Sequence, residues 1–405
     1  MSFLRADLAQ FAAYSAPHPV GDGEENTPQP VLDGLDTNES PIDLPSQLKK
    51  NLADEYVGAI AANRYPDGSH FALKQAVLDY AVRSSDIAKN SIALENITLG
   101  NGSDELIRSI IMATCLGGHG SILVSEPTFS MYAILAKTLG VTVHRVGRKD
   151  NFEVDLAAAE AAISKADHDA IHNQGAPVKV VFMVHPNSPT GNALTQLELS
   201  WLMRLPEDIL VVVDEAYFEF SGHTTLSEAL SRPNWIITRT FSKAFRLAAH
   251  RVGYGIAHAD IIAALEKLRL PYNLPSFSQA AARAALAHSD QLLTQIPDIL
   301  SERHQLLHAL TEHPALRVWP SDSNFIYVRL SDRGLSVLGV SNQNEGLVKV
   351  LEEMRSHGTL VRHTGGGLRI SIGTTEENKR TLTNLQKVLQ TSSQNLSDKQ
   401  LATKI

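Results

Sequence analysis

The sequence predicts an α/β protein with a mostly parallel central sheet flanked by helices, followed by a smaller α+β domain. Strand-like apolar runs alternate with segments of helical spacing up to about residue 270, the pattern of a parallel sheet whose strands are joined by helices. One run, Ile209–Val213, is apolar throughout, as expected for a strand covered on both faces. Beyond residue 315 the order changes to two strands, a helix and a final strand pair. This change indicates the smaller domain.

The elements can be placed along the chain. Residues 1–34 mix proline, glycine and acidic residues and are expected to form an irregular arm that contains Tyr14. Helices are expected near Ser46–Ala61 and His70–Arg83, and the Pro-Asp-Gly sequence of Arg64–Ser69 predicts a turn between them. The large-domain strands are expected at Asn96–Leu99, Ser121–Ser125, Thr142–Val146, Val178–Val184, Ile209–Val213, Trp235–Thr240 and Val252–Ala257. The later strands are expected at Leu316–Trp319, Asn324–Leu330, Thr359–Arg362 and Gly367–Ile372, with a helix at Glu345–His357.

These elements suggest the domain limits. We expect an N-terminal arm at 1–34, a linker or first part of the smaller domain at 35–60, and a large domain at 61–275. The rest of the smaller domain would occupy 276–391, and a polar tail would follow at 392–405.

Composition narrows the class of protein. The 405 residues are 43% hydrophobic and 20% charged, as is usual for a globular protein with a large core. The net charge of −8 gives no support to a nucleic-acid partner. The single cysteine, Cys115, excludes an internal disulfide and a multi-cysteine metal site, and we expect no metal. The start MSFLRADLAQ is not a signal peptide, and no run of 18 apolar residues predicts a membrane span. A cytoplasmic enzyme without a membrane partner is therefore expected.

Reactive side chains follow two of the central strands. Asp214 and Tyr217 come directly after Ile209–Val213, and Lys243 follows Trp235–Thr240. Open α/β sheets place ligands at the carboxyl ends of their strands, so these groups should meet at one edge. A lysine amine forms a Schiff base with pyridoxal phosphate, and an aspartate keeps the pyridine nitrogen of that cofactor protonated. The alternative for any one of these residues is a buried salt bridge or a surface lysine.

The segment GNGSDELIR is a candidate anion site. A glycine turn with Gly102 leads into a segment of helical spacing, and Ser103 is a candidate N-cap. The free amides of a helix N-terminus bind anions, but an ordinary capped helix explains this segment equally well. The missing third glycine excludes a dinucleotide-binding fingerprint. Ser242 and Arg251 would suit the phosphate of the cofactor, since arginine binds phosphate through two parallel hydrogen bonds.

Two further loops are expected at the same edge. The aromatic residues of PTFSMY could stack on a flat cofactor, and we expect this of Tyr132 rather than of Phe129, which suits core packing equally well. In HPNSPTG, prolines and a glycine shape the loop, and Asn187 could donate to a ring oxygen.

Taken together, nine segments resemble the class I/II, fold type I, pyridoxal-phosphate-dependent aminotransferases, and within them the histidinol-phosphate aminotransferases. The resemblance runs from Leu35 to about Thr374 and implies a three-layer sandwich. The segments, in the order of the family, are LDTNESP, RYPDG, GNGSDE, PTFSMY, HPNSPTG, DEAYFEF, TFSKAF, HRVGY and LRISIGT.

The resemblance implies roles for individual residues. Lys243 would carry the cofactor and shuttle protons, Asp214 would bind the pyridine nitrogen, and Tyr132 would stack on the ring. Tyr217 and Asn187 would bind the 3′-oxygen. The cofactor phosphate would be bound by Gly102, Ser103, Asp104, Ser242 and Arg251 of one subunit and by Tyr65 of the partner in a homodimer.

The resemblance also implies the substrates, a phosphorylated amine with 2-oxoglutarate and glutamate. Arg369 would bind the anionic end of the substrate, and Tyr14 and Arg362 are candidate partners of its phosphate. This chain departs from the usual pattern in HPNSPTG and in FRLAAHR, where Arg246 and His250 replace smaller or apolar residues.

The expected reaction is transamination of L-histidinol phosphate with 2-oxoglutarate in histidine biosynthesis. Decarboxylation of a phosphorylated amino acid such as threonine phosphate, and transamination of aromatic amino acids, are the alternatives. A non-enzymatic ligand sensor would need an attached regulatory domain, and residues 1–34 are too short and too acidic to provide one.

Overall fold

The computed structural model of the chain describes residue 3 and residues 32–402, with residues 391–402 described by their backbone alone. Tyr14 and most of the predicted N-terminal arm therefore lie outside the described residues. The strands are β1 Asp33–Gly34, β2 Ile97–Asn101, β3 Ser121–Glu126, β4 Val143–Gly147, β5 Val178–Val184, β6 Leu210–Asp214, β7 Trp235–Thr240, β8 Val252–Ala257, β9 Leu316–Val318, β10 Phe325–Leu330, β11 Thr359–Leu360, β12 Arg362–Thr364 and β13 Gly367–Ser371.

Fifteen α-helices accompany these strands in the described part of the chain. They are α1 Ser46–Ala59, α2 Phe71–Ser84, α3 Gly102–Cys115, α4 Met131–Thr138, α5 Leu156–Ile171, α6 Gln196–Arg204, α7 Phe218–Ser221, α8 Leu226–Leu230, α9 Ala259–Leu268, α10 Ser276–Ala287, α11 Ser289–Leu292, α12 Ile296–Thr311, α13 Asp332–Leu338, α14 Gln343–Ser356 and α15 Thr375–Ala402. Helix α15 thus continues through most of the expected tail. No helix among the described residues combines the length and apolar composition that a membrane span requires.

Seven strands form the central sheet in the order β2-β8-β7-β6-β5-β3-β4. Strand β8 is antiparallel to both neighbours, and the remaining pairs are parallel. The prediction of a mostly parallel sheet between helices is confirmed. Because β5, β6 and β7 are parallel neighbours, the segments that follow them leave the sheet at the same edge.

Both faces of the sheet are buried. Residues of β6 alternate between the faces, so that Val211 and Val213 belong to one hydrophobic cluster and Val212 to another. This explains the uninterrupted apolar run, since a strand with one solvated face would alternate apolar and polar residues.

A second sheet, β12-β13-β10-β9, forms the core of the smaller domain and is antiparallel. Strand β1 pairs in parallel with β11, and Arg380 binds both carboxylate oxygens of Asp33 at 2.8 and 2.7 Å. The start of the described chain is therefore attached to the smaller domain. Helix α10 lies beyond the expected boundary at 275/276, yet its alanine residues pack into the core of the large sheet.

Candidate active site

A cavity of about 460 Å³ lies between the carboxyl edge of the central sheet and the antiparallel sheet. Both domains supply its walls. The lining residues that carry the argument below are Asp36, Thr37, Ser103, Asp104, Phe129, Ser188, Asp214, Tyr217, Ser242, Lys243, Arg251, Arg362, Thr364 and Arg369. The expected meeting of acid, phenol and amine at one edge is therefore observed, although the residues come from distant parts of the chain.

Asp214 is a buried carboxylate at the end of β6, with 3% of its surface exposed. Its Oδ2 accepts a hydrogen bond of 2.8 Å from the Tyr132 hydroxyl, and its Oδ1 accepts one of 3.2 Å from the Ala216 amide. Burial raises the pKa of Asp214 to about 6, against the lowering effect of these hydrogen bonds. Both donors are neutral, so the site would be favourable for a cationic group facing this carboxylate.

Glu215, the next residue, points elsewhere. It forms a buried salt bridge of 2.8 Å with Arg239, and its carboxylate accepts further hydrogen bonds from Thr224 and Thr225. Adjacent residues of an extended chain face opposite sides, so only Asp214 is available to the cavity.

Lys243 lies opposite, after the end of β7. Its Nζ donates a hydrogen bond of 2.7 Å to the backbone oxygen of Thr37. Burial lowers the pKa of this amine, the nearby charges of Arg369 and Arg251 lower it as well, and Tyr217 raises it. Since only the neutral amine is nucleophilic, a lowered pKa favours attack on an aldehyde.

The turn before α3 forms a cradle beside Arg251. Gly102 has a φ of 70°, and a Cβ on it would lie 2.5 Å from Arg251 Nη2. Arg251 donates to Asp104 Oδ2 at 3.0 Å and to Ser242 Oγ at 3.3 Å. Gly253 allows β8 to pass beneath this turn, because a Cβ there would lie 2.6 Å from the Ser103 nitrogen. The helix begins at Gly102, after Asn101, so Ser103 lies in its first turn and the prediction of Ser103 as N-cap is wrong.

Three consecutive residues of LDTNESP contact three predicted site residues, and we call Asp36–Asn38 the strap. The backbone oxygens of Asp36 and Thr37 accept hydrogen bonds from Arg369 at 2.6 Å and from Lys243 at 2.7 Å. The Asn38 side-chain amide donates to the Tyr217 hydroxyl at 2.9 Å. The sequence marks this segment only through the family resemblance, because backbone oxygens and a single asparagine leave no distinctive pattern.

Tyr132 is placed differently from the expectation. It is fully buried in the first turn of α4, its ring stacks on Phe182 with centroids 4.5 Å apart, and its hydroxyl binds Asp214. Phe129 is half-buried and lines the cavity. The expected stacking of Tyr132 on a cofactor is therefore corrected, because a ring packed between the sheet and Phe129 has no face open to the cavity.

Asn187 also lies elsewhere than the expected contact with a ring oxygen of the cofactor would require. It is buried, and its Nδ2 donates to the Pro127 oxygen at 3.1 Å and to Thr190 Oγ1 at 2.6 Å. Its Oδ1 accepts from Thr128 and from the half-buried Arg148. The amide group thus donates once within its own loop and once to the PTFSMY segment, and Asn187 is not among the cavity-lining residues. The next residue, Ser188, lines the cavity instead, and its Oγ accepts a hydrogen bond of 3.2 Å from Arg369.

Arg362 and Arg369 face each other across strands β12 and β13, where they are directly paired. Both line the cavity. The Arg369 guanidinium lies 5.6 Å from the centroid of the Phe325 ring, which supports it from the side of the smaller domain. The segment TGGG between them forms the turn of this strand pair, and its Thr364 lines the cavity as well.

Other predicted residues lie away from the cavity. Tyr65 is 81% exposed and stacks on Tyr272 with centroids 4.6 Å apart. Arg246 donates to the backbone oxygens of Asp43 and Leu292, and His250 packs near the Phe277 ring. Within the described residues, no group of three or more His, Cys, Asp or Glu side chains could hold a metal ion.

Comparisons with known proteins add to this geometry. The model of the family Aminotransferase class I and II matches residues 33–385. A histidinol-phosphate aminotransferase of Trichodesmium erythraeum is 56% identical over 94% of this chain and 98% of that protein. A protein of Nostoc sp. named histidinol-phosphate aminotransferase 2 is 54% identical over 96% of this chain and 98% of its own length.

A solved structure confirms the predicted fold class. It is that of histidinol-phosphate aminotransferase from Sinorhizobium meliloti in complex with pyridoxal-5′-phosphate, which superposes with a TM-score of 0.73 and 22% identity over 89% of this chain and 92% of that one.

Proposed function

Because this chain belongs to the class I and II aminotransferase family, we propose that it transfers the amino group of L-histidinol phosphate to 2-oxoglutarate with pyridoxal 5′-phosphate as cofactor. The products would be imidazole acetol phosphate and L-glutamate, in histidine biosynthesis. The observation that carries the proposal is that one cavity holds the Lys243 amine, the buried Asp214 carboxylate and a pair of arginines.

The residues present fit this cofactor. The cradle at Gly102 leaves no room for a Cβ beside Arg251, and α3 directs free backbone amides to the same place, so a phosphate would be bound by amides and a guanidinium. Asp104, which now binds Arg251, would share that guanidinium with the phosphate.

Asp214 fits the opposite end of the cofactor. A buried carboxylate bonded to neutral donors would be stabilised by a protonated ring nitrogen, and Tyr132 holds the carboxylate in place through the hydrogen bond at Oδ2. When bound, the protonated cofactor ring serves as a sink for the electrons left after a proton is removed from the substrate.

Lys243 supplies the nucleophile and the base. It would release the Thr37 oxygen to bond the cofactor, and its free amine would later remove and return the substrate proton. Phe129 would cover one face of the ring, in place of Tyr132, because it is the aromatic residue of PTFSMY that lines the cavity. The Tyr217 hydroxyl lies in the same cavity and would donate to the ring's 3′-oxygen. For Asn187 to do so, it would have to give up its hydrogen bond to Pro127 or to Thr190.

The two arginines support an anionic, phosphorylated amine donor. Arg362 and Arg369 present two guanidinium groups from paired strand positions, and a planar guanidinium binds either a phosphate or a carboxylate. One side chain could therefore serve the donor in one half-reaction and the keto acid in the other. Tyr14, the third candidate for the phosphate, lies outside the described residues.

A substrate panel tests the proposal. L-histidinol phosphate, L-histidinol, L-phenylalanine and L-threonine phosphate would each be offered with 2-oxoglutarate, and both glutamate and CO₂ would be measured. We expect glutamate from L-histidinol phosphate at the highest kcat/KM. Phenylalanine as the best donor would point to an aromatic aminotransferase, and CO₂ without glutamate from threonine phosphate would point to the decarboxylase alternative.

We also propose a homodimer. Tyr65 and Tyr272 stack on each other, and Phe71 and Leu270, which lie close to them in the sequence, are 61% and 70% exposed. A second subunit covering these side chains would bring Tyr65 towards the partner's cavity, as the resemblance implies. Sedimentation at assay concentration should give a dimer, and a fully active monomer would contradict the proposal. The expected cytoplasmic location stays a prediction that cell fractionation can test.

A further inference from the structure

We propose that Asn38 is a positioning residue for Tyr217, whose amide occupies the phenol oxygen so that the phenol hydrogen is left for the 3′-oxygen of the cofactor. This inference rests on the proposed function, since it concerns the same cavity. Asn38 does not line the cavity, whereas Tyr217 does. Asn38 therefore acts through Tyr217 and does not contact the reacting atoms.

The contact between the two residues is buried. Asn38 Nδ2 donates to Tyr217 Oη at 2.9 Å, and Asn38 has no exposed surface. The Tyr217 ring packs edge-on against Phe325, with centroids 5.1 Å apart. Both partners are thus fixed before any ligand binds, which is a requirement for holding a hydroxyl in one orientation.

Ser371 fixes the orientation of the amide. Its Oγ accepts a hydrogen bond of 2.9 Å from the Asn38 backbone nitrogen and donates one of 3.0 Å to Asn38 Oδ1. Because Oδ1 already accepts from Ser371, the amide nitrogen is the group turned towards Tyr217. Ser371 belongs to β13, the strand that carries Arg369, so the smaller domain determines the direction of this amide.

The backbone of Asn38 is held as well. Asn324 Nδ2 donates to its oxygen at 3.2 Å, and its φ is 55°. Among side-chain-bearing residues, asparagine is one of the few that adopt this left-handed conformation readily. The position therefore calls for asparagine on two grounds, its backbone conformation and its amide donor.

The chemical consequence follows from the number of hydrogen atoms that the Tyr217 hydroxyl can donate. A phenol has one hydrogen to donate. Because the Tyr217 oxygen accepts a hydrogen bond from the Asn38 amide, its own hydrogen must point away from that amide. The hydrogen is then available to the cavity, and accepting one hydrogen bond strengthens the other that the hydroxyl donates. A hydrogen bond from Tyr217 draws negative charge from the 3′-oxygen of the cofactor. It should therefore lower the pKa of the Lys243 nitrogen that carries the cofactor.

The test is a pH titration of the visible absorbance of the cofactor-loaded enzyme. Two variants remove the donor without straining the backbone, since Asn38→Asp keeps the shape and Asn38→Gly tolerates a positive φ. We expect the midpoint to rise by roughly half a unit to one unit in Asn38→Gly, the worth of one hydrogen bond. In Asn38→Asp it should rise by at least as much, because the new carboxylate accepts the phenol hydrogen and adds a negative charge. The titratable and charged groups around Lys243 are Tyr217, Arg369, Glu39 and Arg251, and the glycine variant leaves all of them in place.

Two controls distinguish an effect on the orientation of Tyr217 from a general loss of structure. Asn384→Asp alters another buried asparagine of the smaller domain, one whose Nδ2 donates to Thr359 Oγ1 at 2.9 Å, and it should leave the midpoint unchanged. In a Tyr217→Phe background, Asn38→Gly should produce no further shift, because the group through which it acts is gone.

The outcomes distinguish the inference from the proposed function. An unchanged midpoint in both Asn38 variants, or a shift that persists in the Tyr217→Phe background, would overturn the inference while the aminotransferase remains. Failure of the unaltered protein to form a visible absorbance that requires Lys243 would overturn the proposed function itself.

Discussion

The hydroxyl of Tyr132 donates a hydrogen bond of 2.8 Å to Oδ2 of Asp214. The tyrosine is fully buried, and the aspartate is 3% exposed. An acid in such a place is costly to ionise unless a cation faces it. Ionised Asp214 is therefore expected to destabilise the cofactor-free protein and to stabilise the protein that has bound a cofactor with a protonated ring.

The first prediction concerns the cofactor-free protein and Asp214→Asn. The pKa of Asp214 is raised from its ordinary value of 3.8 to about 6. A raised acid contributes stability that is present below its unfolded pKa and is lost as the pH rises through the folded pKa. The free energy of unfolding of the variant, relative to the original protein, should thus increase by roughly 3 kcal/mol between about pH 3 and about pH 7. Urea unfolding at both pH values measures this.

With cofactor bound, the effect of Asp214→Asn on stability at neutral pH should change sign. The ring nitrogen would then provide the missing cation, so the original protein should be the more stable one at neutral pH, and Asp214→Asn should lose about 10²-fold or more in kcat. Equal pH dependence of unfolding in both cofactor-free proteins would show that Asp214 ionises without penalty.

The second prediction concerns Lys243. Lys243→Ala should abolish the visible absorbance of the bound cofactor and reduce turnover by on the order of 10³-fold or more, since nucleophile and base are lost together. Lys267→Ala, an exposed lysine in the last turn of α9, is the matched control and should change neither. Absorbance spectra and glutamate formation provide the two measurements. Near-normal activity of Lys243→Ala would remove this residue from the mechanism.

The third prediction tests the cradle with two glycines of similar conformation. Gly102 and Gly140 have φ values of 70° and 72°, but a Cβ meets Arg251 at the first and nothing within 4 Å at the second. Gly102→Ala should displace the guanidinium and weaken cofactor binding by about 10-fold to 10²-fold, the loss of one charge-assisted hydrogen bond. Gly140→Ala should carry the same backbone strain with unchanged affinity. Titration with pyridoxal phosphate decides between them, and equal losses would assign the effect to strain alone.

The fourth prediction concerns selection of a phosphorylated donor. Arg362→Gln should lower kcat/KM for L-histidinol phosphate by about 10-fold to 10²-fold, because one guanidinium contact to a dianion is lost, while the much lower value for L-histidinol should stay the same. Arg317→Gln, an exposed arginine of β9 in the same sheet, should affect neither donor. A matching loss for both donors would show that Arg362 does not contact the phosphate.

Much of the fold followed from the sequence. The runs Val178–Val184, Trp235–Thr240 and Val252–Ala257 are strands with the predicted limits, because strands buried on both faces of a sheet are apolar throughout, whether they are parallel or, like the third, antiparallel. Tyr217 and Lys243 were correctly expected to meet Asp214, since the carboxyl ends of adjacent parallel strands share one edge.

The sequence does not indicate which of two nearby side chains in a loop lines the cavity. Phe129 and Tyr132 both suit stacking, and Asn187 and Ser188 both follow β5. In the structure Phe129 and Ser188 line the cavity, whereas Tyr132 and Asn187 are buried away from it. A turn of a few residues can direct either side chain inwards, and composition alone does not indicate which.

The sequence by itself thus determined the family and the places of most strands along the chain, and it indicated the lysine and the aspartate as candidate site residues, because these depend on local periodicity and on rare residues at strand ends. Only the tertiary structure decided which aromatic ring faces the cavity, that Tyr132 supports Asp214, and that the strap brings Asn38 to Tyr217. These contacts join residues 82 and 179 positions apart. The first contact arises from the packing of helix α4 on the central sheet, and the second from the packing of the strap between the two domains. A pattern of neighbouring residues contains no information about either contact.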